Sequence, residues 1–442
     1  MNSKGLSVFG LTMLALGTVV GGSFFLGSAI PINSSGPAVI LAYILGGALV
    51  YLILFALSEM TVHDPTPGSF RTYAERAYGA GLGFVVGWVY WTGLVLAMSS
   101  EAVAVSILLK VWLPKIPIPI TGAFIITVIT IMNLFGAEKL SKLESSLAAI
   151  KLLAIIGFII LAILLIIGIG FDNPAIGKGA LVDEPFLPNG LKGIAGSMLI
   201  VIFTYAGFEI IGLAASETSN PHRDVPRAIR FTVLGLVGLY TVSIMFLLPL
   251  IPTDQLTEDI SPFVAALQVN GVDWAANLIN IILISAILST MLAATFGLGR
   301  MLKSLCDEGY GPRWLKERKN TPYKGIIFSG LAMLVFFGLS FLLPKEVYLF
   351  LVSSGGFSLL FTYIVIIISH YKFRKKNGCP PSGKCQLPGY PYTSWFALIF
   401  LIVIIASMPL VPGQGKGLIA GIVLLLLYWV IYFLNNLKTK NK

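Results

Sequence analysis

The sequence predicts an all-α polytopic membrane protein with about twelve transmembrane helices. Three observations carry that expectation. First, 56% of the 442 residues are hydrophobic and only 11% are charged, where soluble domains carry roughly 25%. Second, apolar runs recur at about the 20 residues that one helical crossing needs. Third, glycines interrupt two of those runs near their centres.

Measured against bilayer thickness, the spans fall at about 7–30, 37–61, 83–111, 119–136, 146–170, 191–216, 229–250, 274–300, 325–343, 346–370, 394–410 and 416–436. The polar stretches between them, near 62–80, 171–190, 217–228, 251–273, 301–324 and 371–393, are each too short to bury a core, so no soluble domain is expected. The first span is expected to act as its own insertion signal, without a cleavable leader.

The net charge of +10 raises the question of nucleic acid, but its distribution points to lipid instead. With the N-terminus in the cytoplasm, 23 of the 30 Lys and Arg residues lie on that side, including Lys4, Arg318, Lys319, Lys384 and Lys442. Only Lys110, Lys115, Lys178, Lys192, Lys345 and Lys416 lie outside, and Lys151 is inside a span. The positive-inside rule then places both termini in the cytoplasm of a multi-pass protein of the cell (plasma) membrane. The expected partners are membrane lipids and no nucleic acid. Cys306, Cys379 and Cys385 fall on the cytoplasmic side and are expected as reduced thiols. The spacing Cys-Pro-Pro-Ser-Gly-Lys-Cys is not that of a zinc pair, and no histidine completes one, so no metal and no cofactor is expected.

In the first span the break reads Gly17-Thr18-Val19-Val20-Gly21-Gly22-Ser23. Glycine lets the chain leave the helix, and irregular backbone at membrane depth survives only against protein or a water-filled cavity. Free N–H groups where Gly21, Gly22 and Ser23 restart the helix form an anion site suited to a carboxylate. Carbonyls near Thr18 and Val19 suit an ammonium group. A tightly packed glycine face is the alternative reading, as it is for Gly46-Gly47 and for Gly79, Gly81, Gly83 and Gly87. The sixth span breaks at Tyr205-Ala206-Gly207-Phe208-Glu209. Five spans separate the two, so they cross in opposite senses. Residues 1–170 and 171–371 are then expected as five-helix inverted repeats, with two further helices in 372–442.

Ionisable groups at membrane depth are functional candidates. Lys151, inside span five, is either a site that gains and loses a proton or a lysine snorkelling to the interface. Glu209 is expected to pair with Lys151 or relay its proton. Glu101, inside span three, serves function or partners a polar group on another span. Glu59 and Glu217, at span ends, are expected to hold loops and gates. Span eight carries Ser285, Ser289, Thr290 and Thr295, hydroxyls that either bond back to their own helix carbonyls or, for Ser289 and Thr290, face the coupling site. His63, His222 and His370 lie at span ends with no catalytic set around them, and there is no P-loop, so neither an enzyme nor an ATP-driven pump is expected.

The first break, Glu59 with Pro67-Gly68-Ser69-Phe70-Arg71-Thr72-Tyr73-Ala74, the stretch Phe203-Thr204-Tyr205-Ala206-Gly207-Phe208-Glu209 with Glu217, Asn220-Pro221 and Val225-Pro226-Arg227-Ala228-Ile229, and Gly299-Arg300-Met301-Leu302 with Asp307-Glu308-Gly309 together resemble the amino acid permeases of the amino acid–polyamine–organocation superfamily, closest to its bacterial amino acid transporter branch. The resemblance covers nearly the whole chain. It implies the LeuT-like five-plus-five inverted repeat with broken first and sixth helices, and secondary active transport. By it, Gly21, Gly22 and Ser23 bind the substrate carboxylate, and carbonyls of Val19, Phe203, Thr204 and Ala206 hold the amino group, with Tyr205 and Gly207 in the same break. Lys151 matches the fifth-span lysine of proton-coupled relatives, Ser289 and Thr290 its hydroxyl neighbours, and Glu209 the acid at the second break. Gly21-Gly22-Ser23 departs from the usual Gly-x-Gly; backbone donors survive that change, while contact geometry does not follow from the family. The resulting expectation is a proton-coupled symporter importing a neutral or apolar amino acid by alternating access. An amino acid exchanger, or a nutrient receptor that does not transport, are the alternatives.

Overall fold

Why a chain this apolar folds at all is answered helix by helix: each span satisfies its own backbone hydrogen bonds, as a lipid environment demands. The computed structural model describes residues 7–66, 68–135, 137–170, 174–215, 218, 220–317, 321–341, 347–379 and 385–440. Pro67, Glu217 and the cations Lys4, Arg318, Lys319, Lys345, Lys384 and Lys442 lie outside the described residues. Seventeen α-helices follow in order: α1 (Val8–Val19), α2 (Gly22–Phe25), α3 (Ala29–Ser35), α4 (Val39–His63), α5 (Ser69–Tyr78), α6 (Ala80–Leu109), α7 (Ile118–Asn133), α8 (Ala137–Ile167), α9 (Gly190–Thr204), α10 (Ile210–Ala214), α11 (Pro221–Leu247), α12 (Pro262–Val269), α13 (Asp273–Asp307), α14 (Tyr323–Ser340), α15 (Val347–Asn377), α16 (Tyr392–Ser407) and α17 (Gln414–Lys440). No β-strand occurs among the described residues. Nine helical segments among them are long and apolar enough to cross a membrane, and α1, α7 and α9 are shorter apolar helices.

Both interrupted spans are interrupted where glycine suggests. The first runs as α1, whose N-terminus is capped by the Ser7 hydroxyl accepting from the Gly10 amide at 3.2 Å. It leaves the helix at Val20 and Gly21, both extended, and resumes at Gly22. The sixth runs as α9, turns through Gly207 at φ +105°, and resumes as α10. The remaining helices enclose these breaks. α6 and α15 pack on each other through the centre and are 89% and 83% buried over their most apolar stretches, whereas α17 is 11% buried and turns Ile419, Val423, Leu426 and Val430 outward. α6 and α15 therefore act as inner scaffold, with α16 and α17 at the rim.

The structure corrects one expectation outside the spans. Cys379 and Cys385, expected as reduced thiols, form a disulfide. The chain turns back after α15, which brings their Cα atoms to 5.0 Å, inside the range a disulfide requires. Cys306 is a free, buried thiol.

Candidate substrate and coupling site

The two breaks meet at the centre of the molecule. Thr18 at the end of α1 donates its hydroxyl to the Gly207 carbonyl at 3.2 Å while also bonding back to Ala15 at 2.9 Å. A Cβ on Gly207 would stand 2.9 Å from the Thr18 carbonyl oxygen, so glycine permits this approach as well as the positive φ.

At the first break, charged groups from the surrounding helices take up the free backbone. The amides of Gly22 and Ser23 donate to the two carboxylate oxygens of Glu101 on α6, at 2.7 and 3.2 Å. A carboxylate thus already occupies the anion site read from the sequence, where the α2 backbone donors converge. Of the two readings of Glu101, partner to a polar group on another span is the arrangement observed. On the carbonyl side, the Lys151 ammonium on α8 donates to the Gly17 carbonyl at 2.6 Å and to the Thr290 hydroxyl on α13 at 2.9 Å. Thr290 in turn donates to the Val20 carbonyl at 2.9 Å. Lys151 is 1% exposed, so it reaches inward rather than snorkelling.

The second break is held by hydroxyls. Glu209, expected to meet Lys151, instead accepts from Tyr90 of α6 at 2.9 Å, from Tyr363 of α15 at 3.4 Å and from the Gly207 amide at 3.2 Å. Thr204 bonds back to Val201 at 2.7 Å, and Tyr205 donates to the Tyr43 carbonyl at 3.1 Å. Ser289 is buried with no partner for its hydroxyl, one residue from the fully engaged Thr290.

Between the breaks lies a cavity of about 50 Å³ lined by Thr18, Val19, Ser23, Glu101, Phe203, Ala206, Gly207 and Thr290 among the sequence-derived candidates. Gly21, Gly22, Thr204, Tyr205, Lys151, Glu209 and Ser289 stand behind this lining. The sequence reading missed Tyr90, Leu94, Ala97 and Met98 of α6, Ile210 of α10, and Ala294 and Gly297 of α13. The α6 residues sit at helical spacing below Glu101, a stripe that projection from that one acid would have found. The cavity is lined by α6, α10 and α13 besides the two breaks. Just after the first break lies an aromatic cluster: Phe24 stacks on Tyr240 with centroids 3.7 Å apart, flanked by Phe25, Tyr43 and Phe263.

The terminal side is tied by buried charge. Arg71 of α5, fully buried, pairs with Glu75 at 3.1 Å and with Glu308, and lies 5.7 Å over the Tyr310 ring. Tyr310 donates to Glu75 at 2.6 Å; burial, then that bond, hold its pKa above the usual tyrosine value, so it stays a donor. Glu59, fully buried at the end of α4, meets His370 at 2.6 Å and Arg374 at 3.0 Å.

The sequence matches the amino acid permease family model over residues 10–442. It is 33% identical over 431 residues to the gamma-aminobutyric acid permease of Bacillus subtilis (strain 168), covering 94% of this chain and 91% of that one. It is 31% identical over 418 residues to the aromatic amino acid transport protein AroP of Escherichia coli (strain K12), covering 93% and 91%.

Proposed function

This chain belongs to the amino acid permease family, and we propose from that premise that it is a proton-coupled importer of a neutral amino acid, working by alternating access. It is a multi-pass membrane protein of a transporter family rather than an enzyme. The observation that carries the proposal is the double engagement of the first break: Glu101 on the Gly22 and Ser23 amides, and Lys151 on the Gly17 carbonyl.

An incoming substrate carboxylate competes with Glu101 for the same amides, and its ammonium group takes carbonyls of Val19, Phe203, Thr204 and Ala206. Glu101, released from the amides, accepts the co-transported proton, which offsets the negative charge that the substrate brings beside it. Lys151 holds α1 to α13 through Thr290 during this exchange, and loss of its proton loosens that tie. Proton and substrate thereby each favour particular states, as coupling requires. Glu209, bound by Tyr90 and Tyr363, keeps the second break in shape.

The apolar lining by Val19, Leu94, Met98, Phe203 and Ile210 supports a neutral side chain. So do the relatives, named for gamma-aminobutyric acid and for aromatic amino acids, which are zwitterions without net charge. The charge asymmetry supports both termini in the cytoplasm. The breaks, five spans apart, support residues 1–170 and 171–371 as the inverted repeats, with 372–442 outside them.

The test is uptake by proteoliposomes, screened against all common amino acids with and without an inward proton gradient. Acceleration of one neutral amino acid by the gradient is expected. Uptake that ignores the gradient and requires internal amino acid would make the protein an exchanger. Thermal stabilisation by an amino acid without flux would make it a receptor.

A further inference from the structure

The pair in Cys-Pro-Pro-Ser-Gly-Lys-Cys takes no part in the transport cycle just described, yet it is wired into a buried hub. Cys379 is half-buried and Cys385 exposed, and the two are joined. Arg374, near the end of α15, places Nη2 3.7 Å from the Cys379 sulfur. Its Nη1 donates to both oxygens of Glu59 at 3.0 and 3.1 Å, and its guanidinium lies 4.6 Å over the Tyr390 ring. Glu59 also accepts from the amides of Gln386 and Leu387, at 2.5 and 2.8 Å, immediately after Cys385. One carboxylate on α4 therefore holds both the arginine beside the first cysteine and the backbone that follows the second. α15 continues inward past His370, which meets Glu59, to Tyr363 two turns deeper, and Tyr363 touches Glu209 in the second break.

We propose that Cys379 and Cys385 form a reversible thiol-exchange site for low-molecular-weight thiols and disulfides, whose redox state sets how firmly α15 is tied to α4. The proposal rests on the cytoplasmic placement of this segment, supported by Lys372, Arg374, Lys375 and Lys376 around it. Disulfides in that compartment are rare and mostly transient, catalytic or redox-sensing, which a purely structural cross-link would not be.

The chemistry closes on groups present. A thiolate attacks the exposed sulfur of Cys385, the S–S bond breaks, and Cys379 leaves as a thiolate beside the Arg374 guanidinium. A second thiol attacks the mixed disulfide on Cys385, which leaves as a thiolate and takes a proton. The protein gains two thiols and the reagent becomes its own disulfide; oxidation runs the sequence backward. Reduction has two consequences at the hub. A new anion competes with Glu59 for Arg374, and the backbone presenting the Gln386 and Leu387 amides loses its cross-link. The oxidised form is the tied and slower one.

The experiment equilibrates the reconstituted full-length protein with glutathione and glutathione disulfide at graded ratios. Three readouts follow: alkylation of Cys379 and Cys385 by mass spectrometry, hydrogen exchange at the Gln386 and Leu387 amides, and uptake. Expected are a titration between disulfide and dialkylated peptide, faster exchange at both amides on reduction, and a several-fold lower Vmax at unchanged KM on oxidation. The double variant C379S/C385S stays at the fast rate whatever the ratio, and R374Q slows reduction. A pair locked in one state at every ratio, or amide exchange that does not follow the titration, overturns the proposal, as does an unaltered Vmax where uptake is measurable. Labelling of reduced Cys379 by an impermeant maleimide from outside intact cells overturns the placement. If no amino acid is taken up, the transport reading falls while alkylation and exchange still decide this one.

Discussion

The two breaks of the permease are both built on glycine, and they need it for different reasons. At the first, Gly21 and Gly22 have ordinary backbone angles, Gly21 being extended at φ −144°. What matters there is the missing side chain: a Cβ on Gly22 would stand 2.6 Å from a Glu101 carboxylate oxygen. At the second, Gly207 adopts φ +105°, which side chains disfavour, and lies against the Thr18 carbonyl. The neighbours differ too. Other helices bring opposite charges to the first break, from Lys151 and Glu101, whereas the second carries its own acid, Glu209, and the neighbouring Thr18, Tyr90 and Tyr363 bring it hydroxyls. Buried charge answers to protons, and hydroxyl contacts answer to shape. On the proposed function, the first break serves coupling and the second serves gating.

Four variants break or sharpen that contrast. The largest effect is expected from Lys151→Ala, which removes a buried ammonium from the Gly17 carbonyl and the Thr290 hydroxyl, at about 1–3 kcal/mol for each hydrogen bond to a charged group. Gradient-driven uptake in proteoliposomes should fall below detection; wild-type uptake would end the coupling role. Gly207→Ala comes next, because a left-handed backbone costs a residue with a Cβ about 1–2 kcal/mol, before the contact with Thr18. A lower melting temperature and slower uptake are expected, with the pH profile of the residual uptake unchanged. A shifted profile would mean that the second break is charge-governed as well. Glu101→Gln leaves a neutral acceptor on the Gly22 and Ser23 amides, about half as strong as a carboxylate. Substrate then displaces it more easily, so apparent KM should fall several-fold and acceleration by the gradient should vanish. A higher KM with coupling intact would count against the displacement step. Ser289→Ala should change thermal stability by less than about 0.5 kcal/mol, because its buried hydroxyl has no partner to lose. A large loss would show a contact at Ser289 like that of its neighbour Thr290.

The breaks, Lys151 and Thr290 were legible along the chain because each disturbs an apolar run, as a glycine cluster, a charge or a hydroxyl. The inward stripe of α6 was not. That helix is apolar all round, so no amphipathic signal separates Leu94, Ala97 and Met98 from residues that face other helices or lipid. Glu209 went to tyrosines instead of Lys151 because Tyr90 and Tyr363 belong to helices whose rotation hydropathy does not encode. The cysteine pair was read as free thiols from its compartment alone; the chain reversal after α15 brought the two together.

The sequence by itself determined the environment, the spans and their interruptions, because bilayer thickness and backbone satisfaction act on each segment separately. Only the tertiary structure decided who meets whom. Glu101 reaches amides 78 and 79 residues away, and Lys151 reaches a carbonyl 134 residues away. Such pairings follow from how interlocking helices rotate and pack, a property of the assembled bundle that no single span carries.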